Sequence, residues 1–282
     1  MLVTEKNLEK FRRWLVERGR SDGTADTYCA NLVMCQPYER TGMAQRLLDR
    51  GLSPNTLRVN LAALRAWARF SQDGELAARL TDMRLPSARR IRVKAPLTPD
   101  QHQRFIAHVK TCRWMAGPMR QAILLLALRG FRSGDVLRMQ RVQIVRALKA
   151  GRLVFEGKGR KQSSFAIAAI REPLEALAEM TGWERVRDLI TTSPTPKIAS
   201  KRLARAVRRV ARELGISDMH PHRFRHTVAT RFLAELHGDP NALTKLQKYM
   251  DWESIATAAR YTDAVSQDEL DAIGERLAKG FQ

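Results

Sequence analysis

Between Leu85 and Pro96 the chain carries two prolines, four cations and no acid, and no other stretch limits the fold as much. A proline ring fixes φ and removes a backbone donor, so neither a helix interior nor a central strand accommodates this segment. It reads as an extended basic connector that divides the 282 residues into two bodies, each long enough to bury its own core. The expected division is a first domain over 1–85, a linker over 86–97 and a second domain over 98–282. Arg89, Arg90, Arg92 and Lys94 in the linker suit a strand lying along phosphates.

Both bodies read as helical. In the first, Leu8, Phe11 and Leu15 recur at helical spacing beside Trp14, and Ser53-Pro54 is a helix start with an N-cap and a proline in the first turn. Leu57, Leu61, Leu64 and Ala68, with Trp67, then make one apolar stripe, while Arg12, Arg13, Arg58, Arg65 and Arg69 spread over the outside. Each of these arginines taken alone is most simply a solvated helix face. The second body opens on Thr98-Pro99-Asp100-Gln101, which carries the residues of a capping box. Residues 117–129 include the apolar run Ala122 to Leu128 and predict a buried helix, with a short helix over 133–139. Leu153–Phe155 and Ser164–Ile167 flank the basic turn Gly157-Lys158-Gly159-Arg160-Lys161 and predict an antiparallel hairpin. Helices are expected over 172–180, 201–214, 223–236, 242–250 and 254–261, and an amphipathic one over 266–277. The fold class is thus mainly α with one small β-hairpin.

Charge bears on partners. Fifty Lys and Arg against 29 Asp and Glu give a formal charge of +21, and a chain this basic meets nucleic acid or an anionic membrane more readily than an acidic protein does. No run approaches the roughly 20 apolar residues a membrane helix needs, and Met1 to Lys6 lacks the pattern of a secretory signal. Cys29, Cys35 and Cys112 have no metal-ligand spacing and read as reduced thiols, the expectation for a cytoplasmic protein. No group of acids is spaced for Mg²⁺, so a phosphoryl-transfer site here would need Arg, Lys and His to meet the charge that gathers on phosphorus.

Four segments offer those groups. Gly130-Phe131-Arg132-Ser133-Gly134-Asp135 places an Arg at a helix start. The hairpin turn offers Lys158, with Arg160 and Lys161 as competitors. In His222-Arg223-Phe224-Arg225-His226, His222 and Arg225 lie three apart and share a helix face. Met250-Asp251-Trp252 precedes Tyr261 by nine residues from the Trp. Each has a plainer reading: Arg132 paired with Asp135 or capping a helix, Tyr261 in a core with Ile255, Ala258 and Ala259, His226 in a structural hydrogen bond. Asp251 is expected to cap the helix that follows it.

In this order the segments resemble the tyrosine recombinase family of phage integrases and Xer-type recombinases. Its hallmark is an Arg in a G-x-R-x-x-[ED] turn, a hairpin Lys, His-x-x-Arg, a His or Trp, and a Tyr nucleophile. Those positions hold Arg132 with Asp135, Lys158, His222 and Arg225, Trp252, and Tyr261. The motifs span 98–263, and the first domain resembles more weakly the family's core-binding helical bundle of SAM-like fold. The resemblance implies a site-specific recombinase that cleaves and rejoins double-stranded DNA through a 3′-phosphotyrosine, without metal or nucleotide cofactor. It implies that Arg132 and Arg225 clamp the phosphate, Lys158 protonates the leaving 5′ oxygen and His222 assists. Trp252 stands where many relatives have His, and its indole N–H can donate to phosphate but cannot act as a base. Arg160 and Lys161, with the linker cations, are the expected DNA contacts. The resemblance further implies a monomer or dimer in solution and a homotetramer at synapsis, with the last helix docking on a neighbour and no arm-binding domain in front. A type IB topoisomerase activity, or a DNA-binding protein with residual strand transfer, are the alternatives. The family's usual Leu-Gly-His is Met250-Asp251-Trp252 here.

Overall fold

The computed structural model describes residues 3–34, 51–83, 95–156, 162–193, 196–259 and 261. Arg89, Arg90, Arg92, Lys94, Lys158, Arg160, Lys161 and the helix expected over 266–277 lie outside the described residues. The chain divides into two compact units, residues 1–92 and 93–282.

In the first unit the described helices are α1 (Glu5–Glu17), α2 (Asp22–Met34), α3 (Pro54–Phe70) and α4 (Gly74–Thr81). The Thr4 hydroxyl accepts from the Asn7 N–H and the Ser53 hydroxyl from the Thr56 N–H, so each helix starts where a short polar side chain replaces a missing backbone acceptor. The apolar stripe of α3 buries Leu57, Leu61, Leu64 and Trp67 against Phe11 and Leu15 of α1. Phe11 meets the Trp67 ring edge-on at 5.2 Å, and Trp14 and Phe70 close the aromatic group. Two arginines of this surface are engaged within the unit. Arg12 bridges Asp22 and Asp26, and Arg65 donates twice to the Leu80 carbonyl.

The second unit is arranged around α6 (Gly117–Arg129). It packs against α5 (Pro99–Thr111), α7 (Ser133–Arg138), α9 (Arg171–Ala178), α10 (Val186–Ile190), α11 (Pro196–Glu213) and α12 (Pro221–Glu235). A helix with neighbours on every side has no use for a polar face, which is why Ala122 to Ala127 are all buried. The predicted capping box of α5 is present, with Thr98 and Gln101 satisfying each other's backbone N–H. Between α7 and the hairpin runs α8 (Arg141–Ala150), which the sequence reading did not separate, and α13 (Ala242–Tyr249) and α14 (Ile255–Ala259) follow α12. Strands β1 (Arg152–Glu156) and β2 (Gln162–Ala166) pair antiparallel, with Leu153 opposite Phe165 and Glu156 opposite Gln162. Phe155 and Phe165 pack on Phe131 at 5.8 and 5.3 Å between ring centres, which seats the hairpin beside the turn carrying Arg132.

Candidate active site

The site starts from a turn that only glycine fills easily. Gly130 ends α6 at φ +71, in the left-handed region, and a Cβ there would lie 3.3 Å from the Arg225 Cα. The backbone of the Arg132 turn therefore rests almost directly on α12. Arg132 occupies the N-cap position of α7, its carbonyl accepting from the Asp135 and Val136 N–H groups, while its guanidinium stays about one-third exposed at 36%. Asp135 is buried, accepts from Arg138 at 2.7 Å and lies 3.7 Å from Arg132. It holds the Arg side chain toward the site without closing it off.

Arg225 is placed quite differently. It is buried, and its guanidinium donates to the carbonyls of Gly130 (2.9 Å) and Met250. These are the last carbonyls after α6 and α13, acceptors the helices themselves leave open. One side chain of α12 thus ties two helix ends together. Burial pushes its pKa down to about 10, Arg132 pushes the same way, and Tyr261 and Asp135 oppose them. At neutral pH it keeps its charge. Two guanidinium groups that repel each other in a partly desolvated corner are poised for an anion.

His222 and His226 follow one another by a helical turn, with ring centres 4.7 Å apart and rings nearly perpendicular. His222 is exposed, and its pKa is lowered first by partial desolvation, then by Arg225, His220 and Arg132. His226 is half-buried, and its Nδ1 lies 2.6 Å from the Tyr261 hydroxyl. Desolvation, then His222, His220 and Arg225, bring the pKa of His226 down to about 4. Its imidazole is therefore neutral at physiological pH.

Tyr261 is buried with Trp252, Met250, Ala258 and Val228, so its core reading and its reactive reading hold together. The indole of Trp252 stacks on the phenol at 5.1 Å and 18° between planes, and the Arg225 guanidinium lies 5.4 Å from the indole centre. Trp252 is thus a platform for the phenol ring in this conformation.

Two residues depart from expectation. Asp251 does not cap α14; the Ser254 hydroxyl accepts from the Ala256 N–H there. The Asp251 carboxylate instead accepts from the Ser163 hydroxyl on β2. Asp251 has φ +52, a left-handed conformation that suits the glycine usual at this place, and Asp tolerates it better than most residues. The departure from Gly therefore keeps the backbone turn and adds a tie to the hairpin. Arg129, which the sequence reading passed over, is buried between the Tyr249 ring (3.6 Å) and the Phe165 ring (4.7 Å) and donates to the Tyr249 carbonyl. It joins α6, α13 and β2 behind the site.

Of the sequence-predicted residues, Arg132, Asp135, His222, Arg225, Trp252 and Tyr261 are brought to one corner. His226, read from the sequence as making a structural hydrogen bond, makes one to the Tyr261 hydroxyl. It is four positions from His222, so it shares that helix face, and the i,i+4 spacing was the available signal. Away from this corner, His108, Cys112 and Glu213 lie together. There the Glu213 carboxylate accepts from His108 (2.8 Å) and Trp114 (3.2 Å) and pairs with Arg209 (3.1 Å), so the group reads as an ion-pair cluster.

A sequence profile described as the phage integrase family matches residues 96–268, more than half of the chain. A tyrosine recombinase of Synechococcus elongatus is 28% identical over 82% of this chain and 73% of its own length. The tyrosine recombinase XerC of Chromohalobacter salexigens is 25% identical over 74% of each. Among solved structures, a lambda integrase dimer bound to a COC′ core site superposes with a TM-score of 0.65 at 17% identity, covering 92% of this chain and 95% of that one. The Tn1549 transposon integrase in complex with a circular intermediate DNA gives 0.59 at 15%, over 96% and 98%. These likenesses show that the fold is that of the integrases. Among the described residues no helix is long and apolar enough to cross a membrane.

Proposed function

The chain belongs to the phage integrase family, and on that footing we propose that it is a site-specific DNA recombinase whose nucleophile is Tyr261. Carrying this reading is the meeting of a buried, charged Arg225 with Arg132, Trp252 and Tyr261 in one corner. A phosphodiester there gathers negative charge as it is attacked, and guanidinium groups fixed in advance stabilise that charge without reorganising. The Tyr261 oxygen attacks phosphorus, the P–O5′ bond breaks, and Lys158 supplies the proton to the departing oxygen. The phosphotyrosine keeps the energy of the bond, so a second 5′ hydroxyl can reverse the step on a new strand.

The wider surface suits the same partner. On α11, Leu203, Val207 and Val210 face the core while Lys201, Arg205, Arg208 and Arg212 are exposed, a row of cations available to phosphates. The first unit is the core-binding half, the linker cations and Arg160 and Lys161 follow the backbone, and the working assembly is a homotetramer on two paired sites in the cytoplasm.

A nicked suicide duplex tests the reading, built on the site the chain selects from a random duplex pool. Strand cleavage releases a short fragment and traps the protein on DNA. Wild type should form the covalent adduct and Tyr261→Phe should not. Relaxation of plasmids irrespective of sequence would mark a topoisomerase instead.

A further inference from the structure

A nucleophilic phenol has to lose its proton, and resting on the function proposed above, we propose that His226 is the catalytic base, holding the Tyr261 hydroxyl and taking its proton as the Tyr–phosphate bond forms. Geometry carries this. The imidazole Nδ1 is 2.6 Å from the phenol oxygen, within hydrogen-bond distance. Trp252 stacks on the other ring's face, so the phenol is fixed from two directions and the contact is not a passing one. His222, whose position in the motif suggests the same duty, is exposed on the turn before and meets His226 at its edge. The two histidines divide the work: His222 faces the phosphate, and His226 serves the tyrosine.

Electrostatics supports a base that works only with DNA in place. His226 faces His222, His220 and Arg225 from its own helix and Tyr261 from the segment after α14, while Arg132 lies across from Arg225. Desolvation, then His222, His220 and Arg225, keep the imidazole neutral, and with its single proton on Nε2 the Nδ1 lone pair faces the phenol. A phosphate bound to Arg132 and Arg225 brings negative charge next to these cations. It offsets the part of the depression they cause and makes the imidazolium formed by proton transfer less costly. In the forward step the phenol proton goes to Nδ1, the Tyr oxygen bonds to phosphorus, and O5′ leaves with a proton from Lys158. In the reverse step the imidazolium returns its proton to the departing phenolate. Protons balance in both directions.

The test compares wild type, His226→Ala and His226→Asn in the full chain, by the rate of covalent trapping on the suicide duplex as a function of pH. Asn places a hydrogen-bonding atom close to Nδ1 but cannot hold the proton. General-base removal costs roughly 10²–10⁴-fold, so both variants should be slowed at least about 100-fold at neutral pH with DNA affinity unchanged. Their deficit should shrink steadily as pH rises toward the phenol pKa near ~10, where the base is no longer needed. Rescue by Asn, or a deficit equal at every pH, would show a merely positioning contact and overturn the proposal. A second measurement needs neither variant: nitrogen NMR of the wild-type His226 ring should report an unprotonated Nδ1 with the proton on Nε2. A protonated Nδ1, donating to the phenol, overturns the proposal whatever the variants do. Trapping by Tyr261→Phe would refute the nucleophile itself, whereas normal trapping by His226→Ala with none by Tyr261→Phe would sink this inference alone.

Discussion

Gly130→Ala should weaken both the fold and the chemistry, and the cost divides into two parts that a control separates. At φ +71 an alanine enters the left-handed region, which costs an L-residue about 1–2 kcal/mol. Its methyl would also lie 3.1 Å from the Val228 Cβ, 3.3 Å from the Arg225 Cα and 3.4 Å from the Met250 Cε. The second of these is helix backbone and cannot swing aside, so the Arg132 turn has to move off α12, an overpacking cost of about 1–3 kcal/mol. Gly151 has the same φ of +71 and nothing within 4 Å of its would-be Cβ. Gly151→Ala therefore reports the backbone part alone, and the difference between the two variants, about 1–3 kcal/mol, reports the close approach. Amide exchange of the buried α6 segment in increasing urea reads the stability of this unit apart from the other. Trapping on the suicide duplex reads the chemistry, since the displaced Gly130 carbonyl accepts from Arg225. Gly130→Ala should be less stable than Gly151→Ala and slow to cleave, and Gly151→Ala should cleave normally. Equal stability and equal cleavage would refute the claim that the turn is pressed onto α12.

Three further outcomes follow from the same contacts. Arg225→Ala leaves two helix-end carbonyls without their charged donor and should lose about 3 kcal/mol along with cleavage. Arg132→Ala, removing a partly exposed side chain, should lose cleavage with stability nearly unchanged, so equal melting temperatures for the two would contradict the assignment of a structural duty to Arg225. Ser163→Ala removes the hydroxyl from the Asp251 carboxylate and should destabilise by about 1–2 kcal/mol, whereas Asp251→Gly also removes a left-handed non-glycine residue and should stay within about 1 kcal/mol of wild type; denaturant midpoints in the wrong order would undo this. Because the folded-state pKa of His226 is depressed to about 4, the unfolded chain binds more protons between that value and the ordinary ~6.5. Its stabilising contribution is present above about 6.5 and lost as pH falls toward 4. The acid limb of a melting-temperature profile should flatten in His226→Asn, and an unchanged limb would count against a neutral His226.

Much of this was legible in the residues themselves, for reasons that differ by element. Capping signals act within one turn, so Thr98 to Gln101 and Ser53-Pro54 announce helix starts that the structure has. An apolar run without a polar face can only be a helix surrounded by others, which is the situation of α6. The Arg132, His222, Arg225, Trp252 and Tyr261 set was legible because its order along the chain is distinctive. What stayed hidden depends on contacts across long separations. Asp251 reaches Ser163 on β2, 88 residues back along the chain, where a local cap was expected, and Arg129 finds Tyr249 and Phe165 from far along the chain. The tie that Arg225 makes between helix ends depends on where Gly130 and Met250 end their helices. For His226 the spacing was visible, but the partner that gives it meaning lies 35 residues away.

The central claim is that one of four tyrosines is a nucleophile. Tyr28 packs in the first unit and Tyr249 stacks on Phe232, so a covalent adduct discriminates sharply between them and Tyr261. The most direct measurement is to trap wild-type protein on the nicked duplex, digest both components and locate the nucleotide-bearing peptide by mass spectrometry. The account predicts a 3′-phosphodiester on Tyr261 and on no other residue. A nucleotide on Tyr28, Tyr38 or Tyr249, or on a serine or histidine, would contradict it.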